Sequence, residues 1–367
     1  VGLVKSFVGL SGAAVAQLFY LMFPGVDKRS PAALSAILIW AGVAAICCGL
    51  AASLVPREAR PDPSRESAPR LSLLWWLLLG WGVCTVAVSV QQVFSSDQAW
   101  VKQLLGVVLL ALLVCPFFLL VAWACRGERG AAVGAEDVGF EAESKSFSEM
   151  IATVDAWIFL FAVSAVLGGG SVIMSSMSQI LTAAGIASND ALVLGNSLYS
   201  SCNMLGRLTC MVPSNFLVRN GIPRPSYMLV VIAEMAAAHF LLILLPYHGV
   251  SLKLVAAATI LGGLAFGSAY PHMVVLTSEL FGSANLATNY MFYDGCSFIG
   301  TLVFVRIVAA KGEQSHTRVG QADCLGAQCF NLVHKVVIAV NIVAMVGMFV
   351  IVARSRRLYL NMSNALR

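Results

Sequence analysis

Polar side chains interrupt an apolar stretch late in the chain, GSAYPHMVVLTSELFGS, which runs from Gly267 to Ser283. Tyr270 and His272 flank Pro271, and a proline inside a helix kinks it and frees a carbonyl one turn earlier. A histidine changes charge near neutral pH, so that it can bind an anion when protonated or relay protons. The equally weighted alternative is a neutral histidine that bonds to a neighbour. Glu279 lies two turns further on, near the end of the apolar stretch.

A second set of polar side chains recurs at helical spacing in the sequence GGGSVIMSSMSQI. Ser171, Ser175 and Gln179 are four residues apart, so they form one polar stripe along a helix. The preceding glycines, residues 168–170, permit close helix contact or local unwinding. In contrast, Glu234 and His239 are five residues apart and do not share a helix face. We interpret that pair as packed polar groups rather than as a solute site.

The composition determines which elements must position these residues. The chain is 59% hydrophobic and 11% charged, whereas about a quarter of the residues in a soluble domain are charged. Several apolar runs are long enough to span a bilayer. The sequence therefore predicts an all-α, polytopic transmembrane helix bundle. Its ten predicted spanning helices are 2–23, 33–55, 72–94, 101–124, 152–182, 190–216, 226–246, 252–280, 286–310 and 331–354.

The basic residues predict the orientation of this bundle. Alternate loops contain thirteen Lys and Arg residues on one side and seven on the other. Because positive charge accumulates on the cytoplasmic side, both ends of this chain are predicted to be cytoplasmic. This distribution explains the basicity without a nucleic-acid partner. Two loops, PREARPDPSRESAPR and RGERGAAVGAEDVGFEAESKSFSEM, have the composition of cytoplasmic linkers.

The cysteines and known motifs indicate neither a cofactor nor a catalytic centre. No CxxC, HExxH or phosphate-cradling glycine motif occurs, so we predict no metal-binding site, no cofactor and no enzymatic activity. Cys324 and Cys329, in CLGAQC, lie in a loop predicted to be outside the cytoplasm. A disulfide is plausible there in an oxidising compartment, and two free thiols are the equal alternative.

Several segments resemble the nodulin-like family of the major facilitator superfamily. GLVKSFVGLSGAAVAQLF is similar to the family's glycine-containing helix, and NMLGRLTCMVPSNFLVRNGIPRPS to its GR segment and the basic loop that follows. SELFG with ATNYMF, and CLGAQCFNL, match later segments in the family's order. Two departures are the missing second glycine after Arg207 and the presence of Asp294 in NYMFYDG.

The resemblance implies two six-helix halves around a central cavity, with four further helices before this chain. Residues 1–55 would be the last two helices of the N-terminal half, 56–125 a cytoplasmic loop with two linker helices, and 126–150 a cytoplasmic linker. Residues 151–357 would form a complete C-terminal half, followed by a cytoplasmic tail at 358–367.

The resemblance also implies two groups of site residues, because the first and fourth helices of each half line the superfamily's cavity. Arg207, near the cytoplasmic end of its helix, is expected to form an inner gate with carboxylates. The predicted cavity residues are Ser171, Ser175, Gln179, Tyr270, His272 and Asp294; the predicted gate residues are Arg207, Asp155 and Glu279.

The function implied is secondary transport of a small solute by alternating access, with an organic anion such as a monocarboxylate as the expected solute and coupling to protons or exchange. One alternative is a transition-metal cation transporter, for instance for iron, since His, Met, Cys and carboxylates occur in the spans without ligand spacing. Another is a membrane sensor or scaffold that transports nothing. The expected partners are the lipid bilayer, the solute and protons. We expect a multi-pass monomer in the plasma membrane or an organelle membrane.

Overall fold

The computed structural model describes residues 144–365, with gaps at 187–188, 246–251, 318–323 and 327, and parts of the segment 75–87. The predicted helices 2–23, 33–55 and 101–124, and the predicted boundaries at 56 and 126, lie outside the described residues. All regular elements within the described ranges are helices. The predicted all-α class is therefore confirmed.

The helices are numbered here in chain order from residue 147. They are α1 (Phe147–Ile151), α2 (Val154–Ala183), α3 (Asn189–Thr209), α4 (Met211–Arg219), α5 (Pro225–Leu244), α6 (Leu252–Phe281), α7 (Leu286–Asp294), α8 (Cys296–Thr301), a π-helix (Leu302–Ala309), α9 (Ala310–His316) and α10 (Gln328–Ala365). The described residues between 75 and 87 are also helical, and the indole N–H of Trp75 donates to the Leu208 carbonyl at 3.1 Å.

Five helical stretches are long and apolar enough to cross a membrane: α2, α5, α6, α10 and the run from Leu286 to His316. α10 also carries an apolar stripe that the protein leaves exposed, at residues 342, 343, 346, 349 and 350. Because this spacing follows one helix face, the stripe is suited to contact with lipid. The chain is an integral membrane protein built as a helical bundle.

The structure divides two of the predicted spans. The predicted helix 190–216 is α3 followed by α4, and Pro213 lies in the first turn of α4, where a missing N–H breaks no helical bond. The predicted helix 286–310 is interrupted at Gly295, continues as a π-helix and extends to His316. α3 is not among the helices apolar enough to span on composition, because it carries several polar side chains; Ser197, Ser201, Asn203 and Arg207 among them are buried in the protein.

Glycines bring α3 and α6 together at the centre of the described bundle. A Cβ on Gly263 would lie 2.6 Å from the Tyr199 carbonyl oxygen, and a Cβ on Gly267 would overlap the Asn203 backbone. Gly206 on α3 meets the Leu264 carbonyl in the same way. The GxxxG spacing of Gly263 and Gly267 predicts a tight helix contact, which the structure confirms and assigns to α3.

The two ends of α2 differ in their neighbours. At its start, Asp155 pairs with Arg354 of α10 at 3.0 Å. At its end, the Ala183 carbonyl accepts a hydrogen bond from the N–H of Gly326 at 2.8 Å. Gly326 lies in the loop closed by the disulfide between Cys324 and Cys329. Arg354 and the disulfide loop therefore lie at opposite ends of the bundle.

Candidate functional site

Arg207 is buried between α3 and α6, with 4% of its surface exposed. Its guanidinium carbon lies 4.2 Å from the centroid of the Tyr270 ring, and its Nε donates to Oδ1 of Asn203 at 2.9 Å. Arginine stays charged at all physiological pH values. The face of the Tyr270 ring and the amide oxygen of Asn203 therefore stabilise the positive charge of Arg207 inside the protein.

Asp294 at the end of α7 completes this group of residues. Its Oδ1 accepts a hydrogen bond from the Tyr290 hydroxyl at 2.8 Å, and its carboxylate interacts electrostatically with Arg207 and Tyr270. Asp294 is half-buried, so part of the group remains accessible. We call Asn203, Arg207, Tyr270, Tyr290 and Asp294 the arginine cluster. It combines a fixed cation, a carboxylate and phenol groups at the junction of α3, α6 and α7.

The serine stripe of α2 bonds mainly to its own helix. Ser171 donates to the Leu167 carbonyl at 2.8 Å, and Ser175 donates to the Ser171 carbonyl at 2.6 Å. Thr301 donates to the Ser171 hydroxyl at 2.9 Å, which joins the stripe to α8. Ser175 and Gln179 are exposed. The predicted stripe is therefore present, with its exposed part beyond the buried Ser171.

Tyr199 connects the stripe with the arginine cluster. Its hydroxyl donates to the Gly170 carbonyl of α2 at 2.8 Å, and its ring packs on Phe266, with ring centroids 5.9 Å apart. Phe266 in turn packs edge-on against Tyr270 at 5.4 Å. A continuous row of aromatic rings thus runs from the glycine segment of α2 to Arg207.

His272 does not join Tyr270 in this cluster. It is fully buried, its Nε2 lies 3.0 Å from the Ser214 hydroxyl, and its ring stacks on Tyr227 at 4.6 Å. Tyr270 and His272 have different neighbours, because positions two apart on a helix point about 200° away from each other. The alternative of a histidine bonded to a neighbour describes this arrangement.

Glu279, expected as a partner of Arg207, pairs with Arg224. The Arg224 Nε donates to both carboxylate oxygens of Glu279 at 2.9 Å, and the Tyr359 hydroxyl donates to Oε2 at 2.6 Å. Arg224 also donates through Nη1 to Ser214 and Asn215, at 2.8 and 2.7 Å. We call these five residues the arginine-glutamate network. It joins α4, α5, α6 and α10 at the end of the bundle that carries Arg354.

Asp155 likewise pairs with a different arginine than expected. Its Oδ1 lies 3.0 Å from the Arg354 Nε, but the geometry is not that of an aligned hydrogen bond. The Arg354 side chain is 58% exposed, so this ion pair is superficial. Of the three predicted gate residues, Glu279 and Asp155 therefore lie in two separate ion pairs, and Arg207 lies in the arginine cluster.

Arg224 and His334 are not among the site residues that the sequence predicts. Arg224 counts toward the cytoplasmic charge of its loop, but it lies between Pro223 and Pro225 and is 7% exposed. His334, in the last predicted helix, bonds to His239. In the described residues, no group of three or more His, Cys, Asp or Glu side chains is placed to hold a metal ion.

The N-terminal part of the chain is similar to a known protein family. Residues 1–121 match the family model described as Nodulin-like. The resemblance predicted from the sequence motifs is therefore confirmed for that range, and the long apolar helices indicate a membrane protein.

The chain is also similar to a curated plant protein. Protein NUCLEAR FUSION DEFECTIVE 4 of Arabidopsis thaliana is 26% identical over 196 residues, which are 51% of this chain and 32% of that protein. The match thus spans about a third of the relative's length. No solved structure matches the chain.

Proposed function

We propose that this protein is a secondary transporter that moves a small organic anion, such as a monocarboxylate, across a membrane by alternating access. The single observation that supports this most is the buried Arg207, which is accompanied by polar groups that can orient an anion. A guanidinium binds a carboxylate in bidentate fashion. An ionisable residue inside a membrane span is by default a candidate for the solute pathway.

Asp294 gives the site a counter-ion when no solute is bound. An incoming carboxylate competes with Asp294 for the positive charge of Arg207, while Asn203 and Tyr270 hold the guanidinium in place. Electroneutrality then favours either exchange for a second anion or uptake of a proton together with the solute. The half-exposed position of Asp294 supports access from the cavity.

The proposed orientation places the arginine-glutamate network at the cytoplasmic end. Arg219, Arg224 and Arg354 gather at this end of the described bundle, and basic residues accumulate on the cytoplasmic side. The disulfide loop at the opposite end would then face an oxidising compartment. The division into half-bundles, with residues 151–357 as the C-terminal half, and the monomeric state remain part of this proposal.

Uptake by liposomes that contain the purified full-length protein tests the proposal. We expect saturable uptake of radiolabelled monocarboxylates, and we expect Arg207→Gln to weaken it by about tenfold to hundredfold, the value of one or two charge-assisted hydrogen bonds. The matched control is Arg219→Gln, because Arg219 is exposed at the end of α4; it should transport like the wild type.

Two outcomes would overturn the proposed function, and a third would overturn only the role of Arg207. They are uptake of transition-metal ions but not of carboxylates, no saturable uptake of any tested solute, and carboxylate uptake that Arg207→Gln leaves intact. The first would favour the metal transporter, and the second a sensor or scaffold. The third would remove Arg207 from the solute site.

A further inference from the structure

Two histidines bond to each other in the interior, away from the arginine cluster. His239 of α5 and His334 of α10 face each other with their Nδ1 atoms 2.9 Å apart, and they are 0% and 1% exposed. The other ring nitrogen of His239, Nε2, lies 3.2 Å from the Gly169 carbonyl of α2. The histidine pair thus joins the three helices α2, α5 and α10 at one point.

The hydrogen bonds fix where the protons of a neutral pair lie. A carbonyl oxygen only accepts, so the Nε2 of His239 carries a proton and its Nδ1 is an acceptor. His334 must then donate through Nδ1, which leaves its own Nε2 without a proton. One further proton can bind at that Nε2. A second would place two N–H groups against each other at 2.9 Å, so double protonation separates the rings.

A small cavity connects this pair with the surface. Its volume is about 20 Å³, and its lining includes His334, Asn331 and Gly326. That volume can hold about one water molecule. Gly326 is exposed and lies in the disulfide loop, so the cavity reaches the surface at that end of the bundle. Asn331 lies one helical turn before His334 and supplies a polar wall.

No carboxylate of the described residues balances a charge on this pair. On α2 the acidic residue is Asp155, fourteen positions before Gly169 and about 21 Å away along the helix. On α5, Glu234 lies toward Tyr227, with which it interacts. On α10, Lys335 is exposed beside His334. Among the described titratable groups, only His239 interacts electrostatically with His334. A charge on the closed pair would therefore be uncompensated in an apolar core.

The contact with α2 falls on the glycine segment that also bonds to Tyr199. The carbonyl of Gly169 faces His239, and the carbonyl of the next residue, Gly170, accepts from Tyr199. Tyr199 leads through the aromatic row to Tyr270 and Arg207. The histidine pair and the aromatic row that reaches the solute site are thus bonded to consecutive peptide groups of one helix.

We propose that the His239–His334 pair is a proton-binding site whose protonation releases α10 from α5 and, through Gly169, changes the position of α2 beside the arginine cluster. The ligand is a proton that reaches the pair through the cavity at the disulfide loop. The neutral pair holds the three helices together, and the protonated pair favours their separation. The link to solute movement rests on the proposed transport function, whereas the proton site itself does not.

Hydrogen–deuterium exchange of the full-length protein in lipid nanodiscs tests the release of α10 without any solute. The separated form binds more protons than the closed form, so acid favours it. Suppose that a histidine has its ordinary pKa of about 6.5 in the separated form and stays neutral in the closed form. Lowering the pH from about 7.5 to about 5.5 then raises the opening equilibrium by about tenfold for each such histidine. We expect exchange of the segment 328–337, corrected for the intrinsic pH dependence, to accelerate by at least that factor.

The variants separate the pair from other pH effects. His239→Gln with His334→Gln should abolish the pH-dependent acceleration, whereas His334→Gln alone, which leaves His239 to titrate, should reduce it to the effect of one histidine. His316→Gln is the matched control, since His316 is exposed on α9, and it should behave like the wild type. Exchange that is equal at both pH values in the wild type, or an acceleration that persists in full in the double variant, would overturn the proposal.

A measurement on the wild type alone covers the case in which the variants do not fold. Nitrogen NMR of histidine-labelled protein should show one buried ring protonated at Nδ1 and one at Nε2 at neutral pH. This is the proton arrangement from which the release by acid follows. Two rings protonated at the same nitrogen, or a ring of the pair that is already imidazolium at neutral pH, would refute the proton site.

Uptake assays distinguish this proposal from the proposed function. A pair that titrates in a protein that moves none of the tested solutes would refute transport and support the proton site. A pair that does not titrate in an active transporter would refute the proton site and leave Arg207 unaffected. In an active transporter, we expect His334→Gln to remove most of the pH dependence of uptake.

Discussion

Removal of the Glu279 carboxylate is the most informative perturbation of the described bundle. Glu279→Ala takes away the counter-ion of Arg224 and the acceptor of the Tyr359 hydroxyl. Arg224 keeps its bonds to Ser214 and Asn215, but these neutral groups do not balance its charge. The substitution therefore leaves a positive charge in a site with little access to water.

The size of the effect follows from the burial of the pair. The side chains of Arg224 and Glu279 are 8% and 13% exposed, and breaking such a pair by removing one partner costs about 3–5 kcal/mol. Because Arg224 retains two hydrogen bonds and lies at the end of the bundle, we expect the lower limit, about 3 kcal/mol. This loss corresponds to a fall in Tm of about 6–12 °C for a unit of roughly 200 residues.

Thermal unfolding of the purified full-length protein in detergent, followed by tryptophan fluorescence, measures this fall. The control is Asp155→Ala, because the Asp155–Arg354 pair is 25% and 58% exposed at its two side chains. An exposed pair contributes about 0–1 kcal/mol, so its Tm should change by less than about 4 °C. A Glu279→Ala variant no less stable than this control would contradict the assignment of a buried, stabilising network.

Two further perturbations test the contact between α3 and α6 and the cap of α1. Gly267→Ala places a methyl group against the Asn203 backbone, so we expect the free energy of unfolding, measured by thermal unfolding, to fall by about 1–3 kcal/mol. The control is Gly80→Ala. An added Cβ at Gly80 meets nothing within 4 Å, so this variant should be neutral or stabilising. Hydrogen bonds from the Ser146 backbone N–H and hydroxyl lower the pKa of Glu149 below its ordinary value of 4.5. The hydrogen bonds between Ser146 and Glu149 that cap α1 are therefore complete above pH 4.5 and are lost as the pH falls through the lowered pKa of Glu149. Amide protection in α1 should fall in that acidic range. Glu149→Gln should abolish this pH dependence.

The positions of the long helices follow from the sequence because lipid imposes length and apolarity on each span. The prediction 152–182 corresponds to Val154–Ala183, 226–246 to Pro225–Leu244, and 252–280 to Leu252–Phe281. Periodicity also predicts the tight face formed by Gly263 and Gly267. These features depend on the chain near each residue, so a single sequence contains them.

The partners of the buried charges do not follow from the sequence. A residue number gives the depth of a side chain in a span, and Arg207, Asp155 and Glu279 all lie at compatible depths. It does not give the rotation of one helix relative to another, and this rotation decides that Glu279 meets Arg224. The same limit applies to His239, whose partner His334 is 95 residues away.

The glycine contact explains how a polar helix such as α3 can carry Arg207 through the bundle. Gly267 allows the backbone of α6 to lie against Asn203, and the side chain of Asn203 holds the Arg207 guanidinium at 2.9 Å. The same approach puts Tyr270, one turn along α6, over that guanidinium. A bulkier residue at Gly267 would therefore separate the helices and also remove two of the groups that stabilise the charge. The spacing of small residues, which by itself predicts only packing, thus sets the geometry of the proposed solute site.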